Sequence, residues 1–216
     1  MGGHDVIKIF KKKVLGSVLF FAASASFVAS ATSRNVQPKF QEGDIVLQTS
    51  QSSQSQAIQL ATHSKWTHVG IIFFKGTTPY VYEARGPVGY RTLSAFVSSG
   101  LSGKYLVRRL KTGLSANDVQ RLLQEGQKYA GKPYDLYFEW SDNRIYCSEL
   151  VWKMFNNALG VSVGALQKLG DFDLSSPEVK KIIAERYGSN VPYNEVVISP
   201  EAIATDTLVL TSVYQN

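Results

Sequence analysis

Cys147 is the single cysteine in a chain of 216 residues. Alone, it cannot close an internal disulfide or build a zinc cage, so it is either an inert core thiol or a reactive one. It sits in Tyr146-Cys147-Ser148-Glu149-Leu150-Val151, where a helix is predicted to begin. A thiol at a helix N-terminus has its thiolate favoured by the positive end of the dipole and by free backbone N–H groups. His68 lies in Thr67-His68-Val69-Gly70-Ile71-Ile72, a predicted strand, and Glu83 lies in Tyr82-Glu83-Ala84 on the next one. A carboxylate inside an apolar strand needs a partner. A histidine can take the proton of a thiol, and a carboxylate behind it fixes its tautomer and stabilises the imidazolium. These three residues are the parts of a cysteine nucleophile.

The elements that must bring them together are legible in outline. Ile45-Val46-Leu47 reads as a short strand after the turn Glu42-Gly43-Asp44, and Ala57 to Ala61 as a short helix. Thr67 to Phe74 and Tyr80 to Ala84 flank a turn at Gly76 to Pro79 and form a predicted hairpin. On the first of these strands Val69, Ile71 and Phe73 share one face, and His68, Gly70 and Ile72 the other. Gly103 to Leu110 alternates as a strand. Ser115 with Asp118 is a helix N-cap pattern, and that helix stops at Gly131 before Pro133. Further helices are predicted from Cys147 to Leu159, closed by Gly160, and from Pro177 to about Tyr187, with a late strand within Thr207 to Tyr214. The pattern is that of a small α+β domain.

The first segment is an address. Lys8, Lys11, Lys12 and Lys13 precede the apolar run Val14 to Ala31, which ends in Ala29-Ser30-Ala31. That is the form of a secretory signal peptide cleaved after Ala31, with a retained membrane anchor as the alternative. Residues 32–216 then form one catalytic domain, exported to the periplasm or secreted, without a stable membrane anchor. The leader holds four lysines and one acid, so the net charge of +6 falls to near +3 without it. No basic stripe interleaves with aromatics, which argues against nucleic acid. Arg108-Arg109 reads as a solvated face, and Asp44 as a turn or strand-end residue. His63 reads as a helix-end histidine rather than a catalytic one. Two histidines and one cysteine make a poor metal site, and no cofactor is expected. Asp135, Glu139, Asp142 and Arg144 crowd the loop before Cys147, where a solvated loop is the default.

Four segments resemble those of the NlpC/P60 superfamily of papain-like cysteine hydrolases. Gly131-Lys132-Pro133-Tyr134 resembles its Gly-x-Pro-Tyr, and Tyr146-Cys147-Ser148-Glu149-Leu150-Val151 its nucleophile motif. Gly43-Asp44-Ile45-Val46 resembles its Gly-Asp-Leu-Val strand, and Thr67-His68-Val69-Gly70-Ile71 its histidine strand. Here the histidine precedes the cysteine, which is the circularly permuted order, and the chain is most similar to the YiiX/YebB-like branch. The resemblance implies a permuted papain-like α+β fold, an antiparallel sheet packed on helices that include a nucleophile helix. It implies Cys147 as nucleophile, His68 as general base and Glu83 as the third polar residue, where His, Asn or Gln is usual. The Cys147 N–H becomes one oxyanion donor, and Tyr134 and Tyr146 become candidates for a second donor or a substrate contact. Glu149 and Tyr146 depart from the usual glycine and aspartate beside the nucleophile.

Three functions are compatible with this reading. The first is a cysteine amidase or peptidase that works through a thioester on a peptide, cell-wall or acyl-amide substrate. The second is a lipid-directed acyltransferase or esterase, which an alkyl slot built from Phe73, Phe74, Tyr80 and Tyr82 would favour, although those residues read more simply as hairpin core. The third is a binding module that has kept the fold without catalysis.

Overall fold

The computed structural model describes residues 39–216. The leader reading falls outside them, and among the described residues no helix is long and apolar enough to cross a membrane. The elements run β1 (Ile45–Ser50), α1 (Ser53–Thr62), β2 (His68–Lys75), β3 (Thr78–Glu83), β4 (Gly89–Thr92), α2 (Leu93–Ser98), β5 (Gly100–Leu110), α3 (Ala116–Gln127) and α4 (Cys147–Leu159). They continue with β6 (Gln167–Lys168), a 3₁₀ turn (Leu169–Asp171), α5 (Pro177–Tyr187), β7 (Val196–Val197), α6 (Pro200–Thr205) and β8 (Leu210–Gln215).

Six strands form one antiparallel sheet in the order β4-β3-β2-β1-β5-β8. Alternation along the strands divides the core between its two faces. Ile45 and Leu47 of β1, Val69, Ile71 and Phe73 of β2, and Leu106 and Leu110 of β5 join the cluster under α4. Val46, Ile72, Val81 and Val107 join Leu93 and Phe96 of α2 on the opposite face. The helix α4 buries Leu150, Val151, Met154 and Phe155 against the first face, at i, i+1, i+4 and i+5. Each such side chain stabilises the fold by about 1.5–3 kcal/mol, and truncating Leu150 to alanine costs about 2–5 kcal/mol with the cavity it leaves.

The local signals behave as their chemistry requires. Ser115 caps α3 and accepts from the Asp118 N–H while Asp118 accepts from the Ser115 N–H, a closed capping box. Ser176 caps α5 with Pro177 in its first turn, and Gly160 ends α4 at φ 68°, where a side chain would be strained. The expected hairpin turn is tighter than read, because Pro79 already belongs to β3 opposite Phe74. Proline is tolerated there because β4 pairs only with Tyr80 to Glu83, so no ladder bond needs an N–H at position 79.

Two surface expectations are corrected. Arg108-Arg109 is not a solvated face: Arg108 is 6% exposed and donates to the Ser212 hydroxyl, and Arg109 forks onto Asp44 at 2.6 and 2.7 Å. Asp44 is fully buried in that pair, which ties β5 to the segment leading into β1. Asp135 is not solvated either. It is buried and accepts from the Tyr137 and Glu139 N–H groups at 2.8 and 2.6 Å, which folds the loop that precedes the nucleophile helix.

Candidate active site

Cys147 is the first residue of α4, and His68 is the first residue of β2. Packing α4 across the sheet brings the helix N-terminus to the start of that strand. The cysteine sulfur there meets the His68 ring, the Val69 and Ser148 N–H groups and the Tyr134 hydroxyl. His68 Nε2 is held by the Glu83 carboxylate, so Nδ1 is the ring nitrogen left for the sulfur. The ring lies stacked against Phe96, with centroids 5.7 Å apart and planes 26° apart. Gly70 makes the fit possible. A Cβ there would stand 2.5 Å from Val81 and 3.2 Å from the Glu83 Cβ, and would push the carboxylate strand away from the histidine strand.

The charges follow from these contacts. Burial opposes the imidazolium, but the Cys147 sulfur and the Glu83 carboxylate outweigh it and push the His68 pKa up to about 9. Burial likewise opposes the thiolate, yet the His68 charge, its hydrogen bond and the two backbone N–H groups hold the Cys147 pKa below its ordinary value. Both shifts favour the thiolate–imidazolium form of the pair. Tyr134 is pushed well above the phenol range by burial and by the neighbouring sulfur, so it keeps its proton and donates. Gln54 Nε2 donates to the Tyr134 oxygen at 3.2 Å, and an Arg186 N–H donates to Gln54 Oε1 at 3.2 Å. An arginine can only donate, so this chain has one direction and ends with the tyrosine proton at the sulfur.

Three residues that sequence reasoning did not single out belong to this arrangement. Arg91, on β4, grips the second Glu83 oxygen through Nε, donates to Oε2 at 3.1 Å, and is itself held by the Ser99 hydroxyl at 2.7 Å. Gln54 and Arg186 are the other two, from α1 and α5. Gln54 and Arg186 carry no local signal because their partners lie far away in sequence, and Arg91 carries none because its strand has only four residues. The two departures beside the nucleophile have structural partners. The Tyr146 hydroxyl accepts from the Ile198 N–H at 3.1 Å, and Glu149 accepts from the Tyr146 N–H at 3.2 Å and pairs with Lys153 at 2.7 Å. His63 lies apart, at the left-handed C-cap of α1 with Nε2 3.3 Å from Asp173. Asp142 binds Lys153 at 2.8 Å.

An apolar slot opens onto the sulfur. It runs between α1 and α5 and takes Ile58, Leu169, Phe172, Val179, Ile182 and Ile183 as walls, with Cys147, Tyr134 and Tyr146 at one end. Its cavity volume is about 100 Å³, a narrow space lined mostly by apolar side chains. The hairpin aromatics do not form it. Phe73 and Tyr82 are buried in the core under α4, Phe74 packs on the opposite face, and Tyr80 lies beneath the Lys75 ammonium, 4.8 Å from its ring centre.

Residues 39–210 match the model of a family described as "Permuted papain-like amidase enzyme, YaeF/YiiX, C92 family". The uncharacterized protein YiiX of Escherichia coli (strain K12) is 53% identical over 163 residues, 76% of this chain and 81% of that protein. A crystal structure of YiiX from Escherichia coli O157:H7 is similar with a TM-score of 0.78 at 52% identity, covering 82% of this chain and 97% of that one. That protein is described as a metalloprotein; among the described residues here, no group of three or more His, Cys, Asp or Glu is placed to hold a metal ion. The match over nearly all the described residues, with cysteine and histidine in permuted order, shows that this chain belongs to the permuted papain-like amidase family.

Proposed function

We propose that this chain is a cysteine amidase that cleaves an acyl amide through a thioester on Cys147, with the acyl chain in the slot between α1 and α5. The observation that carries it is a buried sulfur at an apolar slot, beside His68 and two backbone N–H groups that favour its thiolate. The thiolate attacks the amide carbonyl, and the carbonyl π electrons move to oxygen. The Cys147 N–H and the Tyr134 hydroxyl are the donors for that oxyanion. The C–N bond breaks as His68 passes its proton to the leaving nitrogen. Water then attacks the thioester, His68 takes its proton, and the acid leaves with the thiolate restored. Glu83 keeps the imidazole in one tautomer and balances its charge, and Arg91 holds Glu83 in place.

The slot favours acyl chains over peptide stems, since its walls offer an extended polar substrate few partners. Tyr146 enters this reading as part of the wall, its hydroxyl already engaged by Ile198. The same intermediate would serve transfer to an acceptor other than water. The leader makes an exported enzyme the matching context.

The test is a series of N-acyl ethanolamines with acetyl, octanoyl and lauroyl chains, alongside peptide amides, with Cys147→Ala as control. Activity that rises with chain length, and an acyl adduct on Cys147 by intact mass, are expected. Equal activity of Cys147→Ala, or a preference for acetyl over lauroyl, contradicts the proposal.

A further inference from the structure

A second hollow adjoins the slot, and its chemistry is opposite. It is walled by Ser50, Gln51, Ser52, His68, Arg85 and Arg91, among others, and shares Gln54, Ile58 and Tyr134 with the slot. Cys147 lines the slot and His68 lines the polar hollow. This division assigns the two halves of a substrate. The leaving atom must come within hydrogen-bond reach of His68 to receive its proton, so the leaving group extends into the hollow on the histidine side.

The charge of that hollow is set by Arg85. His68 and Arg91 both face the Glu83 carboxylate, and His68 also faces the Cys147 sulfur, so both cations already have anionic partners. Arg85 follows β3, is exposed, and has no ion-pair or hydrogen-bond partner among the described residues. No carboxylate is among the described residues that line the hollow. The loop that carries Arg85 is pressed onto the site. At Gly86, φ is +106°, and a Cβ would stand 3.3 Å from the Tyr134 Cβ, so a side chain would drive the loop off the tyrosine. Arg85 lies close enough to Arg91 for the two cations to repel each other, and burial together with that repulsion lowers the Arg91 pKa against the pull of Glu83. An anion against the Arg85 guanidinium would relieve the repulsion and accept from its fork, while Arg91 keeps its bonds to Glu83 and Ser99. The surrounding serine hydroxyls and glutamine amides suit a polar group in the same space.

We propose that this hollow is a leaving-group site for an anionic group, a carboxylate or a phosphate, on the amine half of the substrate, with Arg85 as the residue that reads it. The proposal rests on the amidase reading for its orientation. Cleavage of such a substrate forms the Cys147 thioester and releases the anionic amine with a proton from His68, and water completes the hydrolysis.

The experiment compares four lauroyl amides: those of glycine, phosphoethanolamine, ethanolamine and ethylenediamine. They share the acyl half and differ in the charge of the leaving half. kcat/KM is measured with wild type, and binding to the Cys147→Ala protein is measured by titration calorimetry. Wild type is expected to favour one of the anionic compounds over the ethanolamide by about tenfold, and whichever anion leads identifies carboxylate or phosphate. In Arg85→Gln the ratio should fall to about one, Arg85→Lys should recover part of it, and Arg85→Glu should shift preference to the ethylenediamine amide. Melting curves verify that each variant is folded. No anion preference in wild type, or a preference that survives in Arg85→Gln, overturns the proposal. If nothing is turned over but Cys147→Ala binds the anionic compounds about tenfold more tightly through Arg85, the amidase reading fails and the anion site stands.

Discussion

Cys147 and Glu149 are two residues apart in the first turn of α4, both buried, and burial has opposite consequences for them. At Cys147 the neighbours win: the imidazolium and two N–H groups hold the sulfur below its ordinary pKa. At Glu149 burial wins: the carboxyl is pushed up to about 8 although Lys153 lies 2.7 Å away. Lys153 is divided among Glu149, Asp142 at 2.8 Å and the Ser141 carbonyl at 3.0 Å, so it does less for any one of them. The sulfur, in contrast, is at the end of an open slot with a histidine braced behind it by Glu83. A buried ion pair is therefore not enough to mark a site. The chemical centre is where compensation exceeds desolvation and a substrate can still enter.

The sharpest way to break this contrast is Cys147→Ala, which should reduce turnover to background, a loss on the order of 10⁶-fold, with the melting temperature little changed. His68→Ala should cost about 10⁴-fold, read as kcat/KM on the best acyl amide. Tyr134→Phe removes one donor and should lower kcat by about 10²–10³-fold with little effect on KM; an equal loss in both would point to substrate binding instead. Glu83→Gln should cost about 10²-fold or less, because it leaves the histidine and only weakens its support.

The pH profile sharpens the same comparison. His68 has a raised pKa of about 9, so its imidazolium is present below that value and lost above it. Activity should therefore fall on the alkaline side near pH 9, as an apparent value of the coupled pair. In Glu83→Gln the fall should move to lower pH, since the carboxylate favours the charged ring. Glu149 predicts the smallest effect. Its folded pKa is raised from 4.5 to about 8, so the stability it contributes is full below 4.5 and is lost as pH rises through 8. Glu149→Gln should melt with wild type at acidic pH and about 2–4 °C above it at pH well over 8.

Much of this was legible because motif and element coincide. The nucleophile helix announces itself through an apolar face and the glycine that stops it, and the histidine strand through alternation. His68 and Glu83 fall on adjacent strands joined by one tight turn, so their meeting is nearly local. Gln54 and Arg186 were not legible, since Gln54 reaches 80 positions to Tyr134 and 132 to Arg186, and Arg91 was not because it lies on a four-residue strand. The slot was not legible for a different reason. Clustered aromatics in a hairpin look alike whether they line a cavity or fill a core, and here Phe73 and Tyr82 fill it. The real walls on α5, Val179, Ile182 and Ile183, belong to a short helix whose open face gives no hint that it borders a substrate. The short elements β4 and α2 went unread because four- and six-residue segments carry too little periodicity. Arg108 and Arg109 looked like surface because nothing nearby in sequence shows the buried Asp44 and the carbonyls that receive them.

The most direct measurement is the rate of Cys147 alkylation by iodoacetamide in the native protein as a function of pH. The chain has one cysteine, so the modified mass reports that sulfur alone. A thiolate paired with His68 predicts fast labelling already at neutral pH, with an apparent pKa well below the ~8.5 of a free thiol, rising in His68→Ala. Labelling that follows a free-thiol curve unchanged by His68→Ala, or that requires denaturant, would contradict the account.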